Sequence, residues 1–319
     1  MISKWIIKAL VQKSISFLPA SQKINYFFQK NVTGGVILGD EHFGLKIGHA
    51  RDHFNYFKDS GVRNKDLTVL ELGTGWYPVI PILFYLTGLG RVISVDIQQW
   101  MNRKTQQDTI LKYRDWKQRG LLKDLEPEIE PERWNLLMDV LDHPEDYDQA
   151  GVNHLIGLTP RVLDARHLDL EDGSVDFICS NNTFEHIHST VLKEILAEFK
   201  RILHPHGMMS HFIDMSDHFA HFDKRISIYN FLKFSEQAWK LIDNNIQPQN
   251  RLRYRDYLDM YHRLGLPVSQ EEIRKGSLEE LSRVKVHSEF SDYSPDELAI
   301  SHAYIITRPV HISPKTKTS

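Results

Sequence analysis

The chain has a single cysteine, Cys179, among 319 residues, so no intrachain disulfide can form, and a reducing compartment with a cytoplasmic default is expected. It has no long apolar run. Lys4, Lys8 and Lys13 interrupt the N-terminal stretch MISKWIIKALVQKSISFLPA, leaving pieces too short for a membrane span and no extended core of a secretory signal. It also has no strong charge excess. Thirty-nine Lys and Arg against 42 Asp and Glu leave a formal charge of -3, which gives no basic field for a phosphate backbone, and no nucleic-acid partner is expected. No internal repeat or low-complexity tract stands out.

What remains is an ordinary globular composition, 41% hydrophobic and 25% charged, enough for one sizeable core and a small accessory lobe. Trp5, Ile6, Ala9, Leu10, Ile15 and Leu18 recur near helical spacing. This reads as a helix packed on the core, with weak contact to a membrane surface as the alternative. Residues 1–66 read as a helical cap broken by Gly34, Gly35, Gly39 and Gly44, and the tail 311–319 as disordered. From Leu67 the pattern changes to short apolar runs alternating with helical stretches, the rhythm of a parallel sheet. Strands are expected at Thr68–Leu72, Arg91–Asp96, Pro160–Asp164, Val175–Ser180, Met208–Phe212 and His302–Arg308. A charged helical insertion at about 100–158 and a helical lobe at about 226–264 complete a main domain spanning 67–310.

The strongest local signal is Val69-Leu70-Glu71-Leu72-Gly73-Thr74-Gly75-Trp76, a buried strand turning sharply through two glycines into a helix. Glycine suits the turn because a side chain there would hold a bound group off the strand end. A second strand then ends in Asp96, a carboxylate able to accept both hydroxyls of a ribose. Together the two elements describe a nucleoside site. The segments Val162-Leu163-Asp164-Ala165, Ser180-Asn181-Asn182, Thr183-Phe184-Glu185-His186-Ile187 and Pro205-His206-Gly207-Met208 follow in order.

In these four ordered motifs, across about Leu67 to Asp214, the chain resembles the class I S-adenosylmethionine-dependent methyltransferases, of the type 11 kind. The resemblance implies a Rossmann-like three-layer α/β/α sandwich on a mostly parallel seven-stranded sheet, with S-adenosyl-L-methionine as cofactor. It places Glu71, Gly73, Thr74, Gly75, Asp96, Ile97, Asp164, Ala165 and Asn181 at the cofactor, Asp96 on the ribose and Asp164 near the adenine. Two positions depart from the family pattern: Tyr77 stands where a third glycine is usual, and His206 replaces the first glycine of Pro-Gly-Gly. A dinucleotide oxidoreductase also needs the third glycine and has no use for the Glu-His turn.

For methyl transfer, His186 is the candidate base and Glu185 its neighbour at the same turn. Asp214, His218 and His221 are candidates for acceptor binding, within a run from His211 to Asp223 that also holds Asp217. No metal is expected, because Asn182 occupies a position where metal-dependent relatives carry an acid, and the histidines and aspartates of that run show no four-ligand spacing. Tyr229, Phe231, Phe234 and Trp239, with Arg251, Arg253 and Arg255, read as core packing or as the wall of an anionic-acceptor cavity. The expected acceptor is a small molecule or glycan, methylated at oxygen. The alternatives are a cofactor-binding scaffold whose loop Tyr77 has closed, and a membrane-peripheral enzyme acting on a lipid-linked acceptor.

Overall fold

The computed structural model describes residues 3–18, 37–61 and 66–308. The loop at Gly34 and Gly35 and the tail His311–Ser319 lie outside them. From the N-terminus the elements run α1 (Lys4–Ser16), α2 (Asp40–Asp59), β1 (Thr68–Leu72), α3 (Val79–Leu86) and β2 (Arg91–Asp96). Helices α4 (Arg103–Gln118), α5 (Pro131–Asp142) and α6 (Gln149–Leu155) lead to β3 (Leu158–Val162) and β4 (Val175–Asn181). Then come α7 (Ser189–Ile202), β5 (Leu203–Asp214), α8 (Phe219–Phe222), α9 (Glu236–Ile242) and α10 (Tyr254–Leu264). The chain finishes with β6 (Val268–Lys275), α11 (Leu278–Ser282), α12 (Pro295–Leu298) and β7 (Ile300–Thr307).

The seven strands form one sheet in the order β3-β2-β1-β4-β5-β7-β6. The first five run parallel, and β7 lies antiparallel between β5 and β6. The strand order reverses at β1 and β4, the place where an open α/β sheet leaves a crevice at its carboxyl edge. Both faces are covered. Helices α2 to α6 and the strand residues facing them form one core cluster, and α7 with α10 form a second on the opposite face. In α7 the buried side chains Leu192, Ile195, Leu196, Phe199 and Ile202 follow the 3–4 residue repeat of a one-sided helix. Each such buried aliphatic or aromatic side chain contributes on the order of 1.5–3 kcal/mol. A third cluster joins α1 to α8, α9 and α11 through Trp5, Phe219, Phe231 and Trp239.

Three strands differ most from the sequence expectation; of these β5 is the longest, running Leu203–Asp214 where Met208–Phe212 is expected. β3 starts at Leu158, directly after Gly157 in a left-handed conformation, and Pro160 sits inside it; as the sheet edge, this strand tolerates a residue with no N–H. β6, not foreseen, is the opposite edge. Its sequence VSQEEIRK is mostly exposed and charged, the usual protection of an unpaired edge, and so it shows no buried-strand pattern. No helix among the described residues is long and apolar enough to cross a membrane.

Candidate active site

The carboxyl edge of the sheet opens into a cavity of about 900 Å³. At one end, Gly73 and Gly75 hold positive φ angles of 83° and 72°. The two glycines serve different ends. A Cβ on Gly73 would lie 2.3 Å from Thr183 Oγ1, so that position is required by the turn after β4, whereas a Cβ on Gly75 would meet nothing within 4 Å. The Thr183 hydroxyl donates to Leu72 O at 3.2 Å, locking the two turns together. Gly75 N–H donates to the Asp96 carboxylate at 3.1 Å.

Glu71 is not a wall residue of this cavity. It is buried behind the turn, where the Thr74 hydroxyl donates to it at 2.5 Å and itself accepts from Ser94 Oγ at 2.7 Å. Burial pushes the Glu71 carboxyl up to about 7 and the Asp96 carboxyl up to about 6. Lys46 of α2, which lines the cavity, faces both; burial lowers its pKa while their charges favour its ammonium form. With all three ionised, this end carries one surplus negative charge, suited to a ligand bearing positive charge.

Ile97, Ala165 and Asn181 also reach the cavity, and Asn181 Oδ1 is buried with no hydrogen-bond partner among the described residues. Asp164 lies past the end of β3, in a turn where Arg166 grips its carboxylate in a fork and holds its pKa down to about 2. Tyr77 packs into the core yet leaves the cavity open to Gly75, so the loop is not closed.

The other end of the cavity is rich in histidine. His186 Nδ1 lies 2.6 Å from Pro248 O; since a carbonyl only accepts, Nδ1 carries the proton and Nε2 keeps its lone pair. Burial lowers its pKa to about 4, so the ring is neutral. Asp214 and His221 line the cavity beside it, and His218 packs behind, its ring 4.9 Å from that of His186. Glu185 is not exposed to the cavity: it is 1% exposed, neither carboxylate oxygen has a hydrogen-bond partner among the described residues, and burial raises its pKa well above the usual range. The catalytic role expected of it is not supported. His211 and Asp217 are buried, the former against Ser180 Oγ at 2.8 Å and the latter accepting from Asn230 at 3.1 Å.

Of the two readings of the arginines, the structure supports packing and not an acceptor wall. Arg253 is fully buried and donates to the carbonyls of Met215, Leu298 and Ile300; Arg251 donates to those of Phe231 and Phe234; Arg255 reaches Asp292 O and Glu297. Tyr229, Phe231, Phe234 and Trp239 are packing residues of the third cluster. Sequence reasoning missed instead His42, Lys46 and His49 on α2, Arg274 on β6 and His302 on β7, all of which line the cavity. The spacing of His42, Lys46, His49 and His53, a polar stripe at helical repeat beside the buried apolar residues Phe43, Ile47, Ala50, Phe54 and Phe57, was the available signal.

Residues 143–210 match the family model described as Methyltransferase domain, a match that spans β3, β4, the Glu185–His186 turn, all of α7 and most of β5. That match covers 68 of the chain's 319 residues, and over this stretch the chain is similar to methyltransferases. No curated protein sequence matches it. Among solved structures the chain is similar to a geranyl diphosphate methyltransferase with GPP and sinefungin (12% identity, 82% of this chain and 77% of that one, TM-score 0.46). It is also similar to geranyl diphosphate C-methyltransferase of Streptomyces coelicolor A3(2) (14%, 83% and 80%, TM-score 0.45). A third likeness is to phospholethanolamine N-methyltransferase 2 of Haemonchus contortus (14%, 82% and 52%, TM-score 0.44). At these scores the likenesses are of general shape only.

Proposed function

We propose that the chain is a class I S-adenosylmethionine-dependent methyltransferase, which transfers the methyl group to a hydroxyl oxygen of a small polar acceptor held at the histidine-rich end of the cavity. The observation that carries the reading is the continuity of one cavity from Gly75 and Asp96 to His186, Asp214 and His221. Gly73, Thr74, Gly75 and Ile97 would cradle the cofactor, Asp96 would accept from its ribose hydroxyls, and Asp164, Ala165 and Asn181 would border its base and its inner side. S-adenosylmethionine, when bound, supplies an electrophilic methyl group on a cationic sulfur, to which the surplus negative charge around Asp96 is complementary. The protein then has to align the acceptor and exclude water. His186, with Nδ1 committed to Pro248 O, presents Nε2 to take the hydroxyl proton.

The test has two stages. Calorimetry should show S-adenosylhomocysteine binding to the wild type and a loss of at least tenfold in Asp96→Ala; unchanged affinity would remove Asp96 from the site. Mass spectrometry of products from hydroxyl, amine and carbon acceptors should then find an ether methyl, and an N- or C-methyl product overturns the oxygen assignment.

A second reading, of weak contact with a membrane surface, is favoured by one observation. Ile7 and Leu10 of α1 and the neighbouring Phe17, Phe222 and Leu241 are exposed beside Lys8 and Lys13, while Trp5 and Ala9 face the core. Co-sedimentation with anionic vesicles should fall in an Ile7→Ser/Leu10→Ser variant; equal partitioning refutes the contact.

A further inference from the structure

Three imidazoles converge on one carboxylate at the acceptor end of the cavity. Asp214, at the end of β5 and 5% exposed, has Oδ2 3.4 Å from His218 Nε2 and 3.6 Å from His221 Nε2. Its other oxygen, Oδ1, lies 3.4 Å from His302 Nε2 and accepts from Ser216 N at 2.8 Å. His218 Nε2 is buried with no hydrogen-bond partner among the described residues. One ligand atom from each of Asp214, His218 and His221 can be chosen so that all three lie within 4.8 Å of one another.

We propose that Asp214, His218 and His221 bind a divalent first-row transition-metal ion of the Zn²⁺ type, with its open positions facing the acceptor cavity. The spacing favours this. Ligand atoms arranged tetrahedrally at about 2.1 Å from an ion lie about 3.4 Å from one another, and the two histidine nitrogens lie 3.4 and 3.6 Å from Oδ2. The donor set, two imidazoles and one carboxylate, suits such ions and not Mg²⁺ or Ca²⁺, which take oxygen. His302 and Ser216 N hold the carboxylate by its other oxygen, as outer partners of metal ligands do.

An independent observation points to the same place. Glu185 is almost wholly buried with both oxygens unpartnered, and a ligand atom of its carboxylate lies within 4.8 Å of those of His186 and His218. A dication one residue away gives that buried acid a charge to face. Asp214 and His221 line the cavity, so a hydroxyl of the acceptor completing the shell would sit beside His186, its proton made more acidic by the ion. Metal binding itself does not depend on which atom is methylated.

The test is titration of the full chain, freed of metal by chelator and dialysis, with Co²⁺ alone, read by calorimetry and visible absorption. The wild type should take up one equivalent with a ligand-field band. His221→Ala, at an exposed position that leaves the fold intact, should weaken binding by about 10–100-fold or more, and His302→Gln by about tenfold. His143→Ala should leave that band unchanged, because it removes only a separate exposed group of His143, Glu145 and Asp146. A folded wild type that binds no Co²⁺, or equal binding by wild type and His221→Ala, overturns the proposal.

Discussion

Replacing Asp96 by Asn should make the ligand-free protein more stable and the binding site worse. Burial pushes this carboxyl up to about 6, against about 3.9 for an unperturbed aspartate, and each pKa unit is worth about 1.4 kcal/mol. Ionised Asp96 therefore costs the folded state about 3 kcal/mol above pH 6, a cost that is gone below about pH 4, where folded and unfolded chains are both protonated. Asn has no charge to bury, and its Oδ1 can still accept from Gly75 N–H. At roughly 2.1 cal/mol/K of unfolding entropy per residue, a gain of about 3 kcal/mol raises the melting temperature of a chain of this length by roughly 4 °C. Calorimetric melting should show that gain at pH 8 and about half of it at pH 5. The same substitution should weaken S-adenosylhomocysteine by roughly 10–100-fold, because ribose hydroxyls lose a charged acceptor. A variant no more stable than wild type at pH 8, or one with the same gain at both pH values, would refute the reasoning.

Gly73→Ala should cost at least about 1 kcal/mol more than Gly75→Ala in urea unfolding, since both strain a positive φ but only Gly73 meets Thr183; equal costs would show that Thr183 gives way freely. Arg253→Met should cost on the order of 3–5 kcal/mol by stranding three buried carbonyls, while the folded variant binds S-adenosylhomocysteine as the wild type does; a cost below about 1 kcal/mol would mean that those carbonyls find other partners. His186→Gln should lower kcat about 100-fold or more with little change in KM. Because its folded pKa is about 4, His186 is already neutral at pH 6, so the wild-type rate should show no inflection from it between pH 6 and 8. An unchanged kcat would leave the ring as a support of the Pro248 loop.

The parts of the fold that were legible in the sequence are those in which local pattern and tertiary role coincide. β1 is buried along nearly its whole length and β2 over Val92, Ser94 and Val95, so their apolar runs, with Gly73 after the first and Asp96 ending the second, stood out with their limits unchanged in the structure. β6 was illegible because an edge strand is protected by the same charges that make a segment look like loop. Asp214 and His221 were readable as candidates because they follow a recognisable strand. That their partner would be His302, 88 positions from Asp214, is a consequence of β7 inserting beside β5, which no local spacing encodes. Arg251, Arg253 and Arg255 were left between two readings for a related reason: sequence shows a cluster of positive charge but not the carbonyls that absorb it.

The cavity wall has an uneven ancestry along the chain. Its floor, from Gly73 to His186, comes from the sheet edge, while much of the remaining wall is drawn from α2, from the loop around Gln247 and Pro248, and from Arg274 and His302. Such a division makes the two halves separately editable. Exchange of the flanking segments would reshape the space around His186 and Asp214 while the Gly73–Gly75 turn stayed as it is, so chains alike over the strands from Thr68 to Asp214 need not share a substrate.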